Sequence, residues 1–258
     1  MNNVECSAIT YIGLVRGKNE DNYYINGKYK TDFGIDTEGY IDNAPRNSYL
    51  YAVCDGMGGE KLGELASMIA VKTLARYQST DINSTLMQYV QTANKFICDE
   101  IDKNNGTRIG TTLALLYIHD GKAFSCNVGD SRVYFLRDGD LFLMTEDHTE
   151  AQRLVKMGML SQEDASTHKS RNRLTQHLGI FPEEEIIEPF ISQDIQLAKN
   201  DMFVICSDGL TDMVSEDDIA DCLSMEDIDT TTMVKKLAAA TQTNGAKDNA
   251  TIIIVKIL

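Results

Sequence analysis

Long apolar runs are missing from this 258-residue sequence: no stretch approaches the ~18–20 consecutive apolar residues of a membrane-spanning helix, so no membrane span is expected. The first ten residues, MNNVECSAIT, lack a basic stretch followed by an apolar one, and no secretory leader is expected. Cysteine is sparse, 6 residues without a CxxC pair or a regular spacing. That excludes a disulfide framework and makes the reducing cytoplasm the expected compartment. Four histidines form no HxxxH or HExxH pair, which argues against a zinc site. With only 3 prolines and no low-complexity segment, nothing marks a linker, and residues 1–258 are expected to form one domain. Positive charge is also short: 24 Lys and Arg stand against 39 Asp and Glu, a formal net charge of −15. Such a surface repels phosphate backbones and anionic lipid, which excludes a nucleic-acid or membrane-surface binder.

Against these absences, 43% of the residues are apolar, ample for a core at this length. Short runs rich in β-branched and aromatic residues predict strands at 49–54, 112–118, 122–128, 133–136, 202–206 and 251–257. Most are too apolar for a half-exposed sheet, so both faces should be covered. A helical stripe runs through Leu62, Leu65, Ala66, Ile69, Thr73, Leu74 and Tyr77. A second, through Leu86, Val90, Ala93, Ile97 and Ile101, stops at the Asn-Asn-Gly turn of 104–106. Further helices are expected over 149–157, over 216–223 behind a Ser215/Asp218 capping box, and over 232–241. Strands in runs and helices in pairs point to sheets sandwiched by helices rather than to strict βαβ alternation. Cys54, Cys98, Cys126 and Cys206 sit among apolar neighbours and read as small core residues.

The carboxylates are not evenly spread. Two predicted strands end alike, in Asp55-Gly56-Met57-Gly58-Gly59 and in Asp208-Gly209-Leu210-Thr211-Asp212. Gly129-Asp130-Ser131-Arg132 lies at a turn between two strands, and Lys247-Asp248-Asn249 precedes the last strand. Any one of these could be an ordinary Asp-Gly hairpin turn. Gathered at one sheet edge, however, uncompensated carboxylates would repel one another, and a hard divalent cation resolves that conflict. Near the N-terminus, Arg16-Gly17-Lys18-Asn19-Glu20-Asp21-Asn22 reads as a solvated loop if it stands alone. Beside a cation site, Arg16 would offer a planar fork for phosphate oxygens, and Glu20 and Asp21 could hold bound waters.

Several motifs are decoys. Cys126 and Arg132 have the C-x5-R spacing of cysteine-dependent phosphatases, but Asp130 sits inside the loop and strands follow it, so Cys126 reads as core. Gly58-Gly59-Glu60-Lys61 hints at a P-loop and fails the register, because Leu62 follows the lysine. His148 and His177 lack a nucleophile partner, and the methionines, Met57 among them, read mostly as packing, with Met157 and Met159 as candidates to line a flap. The polar, turn-rich segment 28–48 carries no assignable function.

In this order the motifs resemble the metal-dependent protein phosphatases (the PPM, or protein phosphatase 2C, family), most closely the bacterial Ser/Thr branch. The residues carrying the likeness are Arg16 with Asn19-Glu20-Asp21, Asp55 through Gly59, Gly110-Thr111-Thr112, Gly129 through Arg132, Ser207 through Asp212, and Asp248-Asn249. They span nearly the whole chain. The resemblance implies an α/β (α+β) fold, a four-layer αββα sandwich of two central antiparallel β-sheets flanked by pairs of helices. It implies two Mn²⁺ or Mg²⁺ ions and a third, weaker site. Asp55 would bridge the two ions and the carbonyl of Gly56 would bind one; Asp208 and Asp248 would complete the other. Glu20 and Asp21 would act through bound water, Asp130 with Asp208 and Asp212 would form the third site, and Arg16 would bind phosphate. Asp55 and Asp208 with Arg16 would thus carry catalysis. Residues 147–179 resemble the bacterial flap and the segment after it, although His168-Lys169 replaces the usual His-Pro.

The function so implied is hydrolysis of phosphoserine and phosphothreonine in proteins by a metal-activated bridging water, opposing a Ser/Thr kinase, in a cytoplasmic monomer. Met57 stands where many eukaryotic relatives carry a histidine general acid; it cannot donate a proton, which leaves a metal-bound water for that role. Two rivals remain at this point: a catalytically silent relative that binds a partner, and a small-molecule phosphatase. Retention of every expected ligand argues against the first.

Overall fold

The computed structural model of the chain describes residues 3–32, 37–58, 62–77 and 82–258. Gly59, Glu60 and Lys61, and part of segment 28–48, lie outside the described residues. Strands β1 (Val4–Tyr11), β2 (Asn22–Ile25), β3 (Lys28–Tyr29), β4 (Thr37–Ile41), β5 (Ser48–Cys54) and β6 (Gly56–Met57) precede helices α1 (Gly63–Leu74) and α2 (Ile82–Lys103). Next come β7 (Gly110–Thr111), β8 (Leu113–His119), β9 (Lys122–Val128), β10 (Arg132–Arg137) and β11 (Asp140–Leu143), then short helices α3 (Glu150–Lys156) and α4 (Gln162–Thr167). The chain closes with β12 (Phe190–Ile191), β13 (Ile195–Gln196), β14 (Met202–Cys206), α5 (Asp208–Thr211), α6 (Glu216–Leu223), α7 (Thr230–Thr243) and β15 (Ala250–Ile257).

Two antiparallel sheets are stacked. One runs β11-β10-β14-β15-β1-β4, the other β12-β9-β8-β5-β2-β3 with β13 also paired to β9. Three apolar clusters lie between the layers, and alternation along single strands explains them. On β8, Leu113, Leu115 and Tyr117 pack towards α1 and α2, while Ala114, Leu116 and Ile118 pack into the space between the sheets. On β15, Ile253, Val255 and Ile257 join that central cluster, and Ile252 and Ile254 face α6 and α7. The apolar runs therefore serve two cores each, and the four-layer αββα arrangement results. All six cysteines are buried and unpaired.

Most expected elements agree with the observed ones within a residue or two; α1 ends at Leu74, three residues short of its expected stripe, α2 starts four residues before its stripe, and the pattern hid other elements. Strand β1 escaped notice because Ser7 and Thr10 interrupt its apolar run. Both hydroxyls are buried and satisfied, Ser7 against Thr230 at 2.8 Å and Thr10 against Thr251 at 2.7 Å. In α1 the expected stripe is rotated. Leu65 and Ile69 are only half-buried, whereas Met68, Ala70 and Val71 are fully buried, because the helix is wedged among the sheet, α2 and the acidic turns.

Ser215 caps α6: its Oγ accepts from the Asp218 amide at 3.1 Å, while the Asp218 carboxylate accepts from that same hydroxyl at 2.6 Å rather than from the Ser215 amide of a full capping box. Ser215→Ala should cost about 1 kcal/mol, read as a fall of ~2–4 °C in the thermal midpoint, with activity retained.

Candidate active site

Strand register brings the acidic turns together. Asn22 pairs with Cys54, Cys206 with Ile252, and Tyr11 with Ala250. Glu20 and Asp21 therefore enter β2 where Asp55 leaves β5, and Asp208 leaves β14 where Asp248 enters β15. Arg16 follows β1 at the same end, and Asp130 sits where the chain crosses from β9 in one sheet to β10 in the other. They surround a cleft of about 780 Å³, lined by Arg16, Glu20, Asp55, Gly56, Asp130, Asp208 and Asp248, and by Asn172 and Leu174 of the flap.

The turns are held by backbone contact. A side chain at Gly56 would meet the Gly63 and Glu20 carbonyl oxygens at 2.3 and 2.5 Å, and one at Gly209 would meet the Asn249 carbonyl oxygen at 1.9 Å. Neither glycine has a positive φ, so close approach rather than a hairpin turn requires them. Thr112 fixes Asp55: its Oγ1 accepts from the Asp55 amide at 2.9 Å and shares a 2.7 Å hydrogen bond with Ser131, next to Asp130. Asn249 clasps the N-terminal loop. Its Oδ1 accepts from the Glu20 amide at 2.8 Å, and its Nδ2 donates to the carbonyls of Ile12 and Lys18, each at 2.8 Å.

Charge is concentrated here beyond what the fold compensates. Burial first, and then the neighbouring carboxylates, push the Asp55 and Asp208 carboxyls well above the ordinary range. Asp130 is pushed up to about 7 by burial, with Asp147 adding to the shift. Glu20 is raised by burial and by nearby Glu64. Among the described residues, the cation bound directly to these carboxylates at the rim is Arg16, whose Nη2 donates to Asp248 Oδ2 at 2.5 Å. Asp208 Oδ1 is buried without a hydrogen-bond partner among the described residues. An acidic set with an orphaned carboxylate oxygen fits a hard divalent cation by donor chemistry. Among the described residues, no three Asp, Glu, His or Cys side chains close on a single ion position, so the set is an open cleft rather than a collapsed cage.

Asp21 is placed differently from its neighbours. It is fully buried beneath the cleft, accepting from Ser207 and Thr251 hydroxyls at 2.8 Å each, and its Oδ1 has no partner. Asp130, Asp208 and Asp212 share a second groove under the flap. There Asp212 accepts from Asn172 Nδ2 at 2.7 Å and pairs with Arg171 at 3.3 Å. Arg132 is spent on Asp147, a bidentate pair at 3.0 and 2.6 Å. His148 Nδ1 accepts from the Gly129 amide at 3.2 Å, and burial lowers its pKa, so it anchors the start of the flap. Without proline, the turn at His168 is held by its own Nδ1, which accepts from the Ser170 amide at 3.3 Å. Cys126 lies inside β9 with its thiol pushed up to about 12 by burial, unsuited to nucleophilic attack. The supporting residues Thr112, Ser207, Asn249 and Thr251 had no role assigned from the sequence; Ser207, Asn249 and Thr251 lie within three residues of an acidic motif, a signal that was available, whereas Thr112 lies in none.

Residues 36–248 match a family model described as protein phosphatase 2C. Over 252 residues the chain is 32% identical to the serine/threonine phosphatase stp of Listeria welshimeri, covering 90% of this chain and 96% of that protein. The S. agalactiae serine/threonine phosphatase structure aligns with a TM-score of 0.83 at 29% identity, covering 99% of this chain and 100% of that one. The catalytic domain of the serine/threonine protein phosphatase PstP, solved in complex with two manganese ions, aligns with a TM-score of 0.79 at 26% identity, over 100% of each chain.

Proposed function

The chain belongs to the protein phosphatase 2C family and is a serine/threonine protein phosphatase, and from that premise we propose that it hydrolyses phosphoserine and phosphothreonine esters with Mn²⁺ or Mg²⁺ held in the acidic cleft. The observation that carries the reading is the gathering of Asp55, Asp208 and Asp248 with Arg16 at one sandwich end, with the Asp208 Oδ1 unsatisfied. Asp55, the Gly56 carbonyl, Asp208 and Asp248 would hold two ions, with Glu20 and Asp21 acting through water. Asp130, Asp208 and Asp212 would form a third, weaker site. Ions bound there offset the carboxylate charge and supply the Lewis acidity that makes water a nucleophile at neutral pH.

The chain's own residues do the rest. Arg16 is held at the rim by Asp248 with its guanidinium largely exposed, ready to take the nonbridging phosphate oxygens. Thr112 and Asn249 keep the turns from drifting when an anion arrives. Met57 lines the cleft but carries no transferable proton, so water supplies the proton to the departing serine or threonine oxygen. A Ser/Thr kinase is the partner whose work such an activity opposes, and a cytoplasmic monomer of one domain over 1–258 is the form we assign.

The test is turnover of p-nitrophenyl phosphate and of a phosphothreonine peptide with Mn²⁺. EDTA should abolish both, and Cys126→Ser should leave both intact. Arg16→Ala should lower kcat/KM about 30-fold, the loss of one charge-assisted hydrogen bond in the transition state. Activity that survives EDTA, or that disappears in Cys126→Ser with the fold intact, would overturn the mechanism. Turnover of small esters alone would favour the small-molecule rival.

A further inference from the structure

Beside the acidic cleft lies a separate pocket of about 330 Å³. Met57 and Gly58 line both, so the pocket and the reaction site share one wall. Its other walls are Ile109 and Ile180, with Arg108, His177 and Glu184 at the rim. The local strands fix this wall. Met57 pairs with Gly110, Thr111 bridges to Leu178, and the His177 ring packs so closely on Gly110 that a side chain there would meet Nδ1 at 2.5 Å.

The rim's polar groups already have partners. Arg108 makes a bidentate pair with Glu184, one of its bonds at 2.9 Å, and stacks over the Phe181 ring at 5.1 Å. His177 Nδ1 lies 3.0 Å from the Leu178 carbonyl oxygen, which assigns it the proton. Among the described residues, no unpaired charge lines the pocket to call for a charged ligand. What remains is an apolar recess with a satisfied polar edge, the composition of a side-chain pocket.

We propose that this pocket selects substrates by receiving an aliphatic side chain directly next to the phosphorylated serine or threonine. The assignment rests on the phosphoprotein reading above and deepens it. With phosphate over Asp55 and Asp208, the peptide must leave the cleft past its walls, and the pocket lies directly beyond the Met57–Gly58 wall. Ile180 is half-buried there, so its side chain can be changed without opening a core cavity.

The experiment compares phosphothreonine peptides that differ only in the flanking residues, Leu, Ser or Asp on each side in turn, with p-nitrophenyl phosphate as a substrate too small to reach the pocket. Wild type should prefer a Leu-flanked peptide over its Asp-flanked counterpart by about tenfold in kcat/KM, the discrimination an apolar pocket provides. Ile180→Ser should erase most of that preference, Ile180→Leu should keep it, and neither should change p-nitrophenyl phosphate turnover. Equal rates on all peptides in wild type would overturn the pocket while leaving the phosphatase reading standing. So would an Ile180→Ser variant that slows p-nitrophenyl phosphate as much as the Leu peptide, since that is a structural effect. Failure to turn over any phosphopeptide, with p-nitrophenyl phosphate still hydrolysed, would overturn the protein-substrate reading and the pocket with it.

Discussion

Asp208→Asn should cost at least ~10³-fold in metal-dependent turnover and, in the same protein, raise the thermal midpoint measured without metal. The two effects have one cause. Asp208 is buried beside Asp130, Asp248 and Asp212, with burial first and their Coulomb repulsion second opposing its charge. Its carboxyl is raised in the folded state, so its ionised form binds to the fold at a cost. The sign comes from linkage: the stability associated with the protonated form is complete below the ordinary carboxylate pKa and is lost as pH rises through the folded value. At neutral pH, above the ordinary carboxylate pKa, the group therefore weighs against folding, and a neutral isostere removes that weight. A gain of about 1 kcal/mol corresponds to ~2–4 °C in a chain of this size.

Metal should reverse the ranking. A ligand at 100 times its Kd stabilises the folded state by about 2.7 kcal/mol, and wild type should collect that gain while Asp208→Asn collects little of it. Thermal melts of both proteins, in EDTA and in millimolar Mn²⁺, are the measurement. An Asp208→Asn protein that melts lower than wild type in EDTA would contradict the picture of an overcharged cleft. Equal Mn²⁺-induced shifts would remove Asp208 from the ligand set.

Much of this arrangement was legible beforehand because alternation and acidity are local signals. The run TIIIVKI announced a strand covered on both faces, and β15 divides its isoleucines between two clusters accordingly. The acidic turns announced a site, and the pairings of Cys54 with Asn22 and Cys206 with Ile252 gather them. The hidden parts depend on partners distant in sequence. Thr112 matters because Ser131 and the Asp55 amide meet on it, and nothing in Gly110-Thr111-Thr112 alone says so. Asp21 and Glu20 are adjacent in the loop before β2, yet one lies beneath the floor, held by Ser207 and Thr251, and the other lines the wall. The glycines beside the aspartates could equally have been hairpin turns, and which backbone each one faces could be seen only after folding.

Gly209→Ala turns that last point into a measurement, with a predicted loss of ~10²-fold in kcat/KM and about 1–3 kcal/mol of stability. Gly209 has no positive φ and opens helix α5, where alanine is intrinsically the better residue. The whole penalty is therefore steric. The added methyl would lie 1.9 Å from the Asn249 carbonyl oxygen and 3.1 Å from the Ala250 Cα, both backbone atoms that cannot rotate away. Relief requires α5 to lift from the start of β15. That displaces Asp208 at the helix N-terminus and strains Asn249, the residue that ties down Ile12, Lys18 and Glu20. One methyl group thus loosens both halves of the cleft. Gly17→Ala is the control for stability, because a Cβ there meets nothing within 4 Å and the backbone is unstrained. Its melting point should match wild type while Gly209→Ala falls by several degrees, and Gly209→Ala should need more Mn²⁺ for half-maximal activity. A Gly209→Ala enzyme with wild-type Mn²⁺ dependence would show that the contact between α5 and Asn249 does not position the ligands.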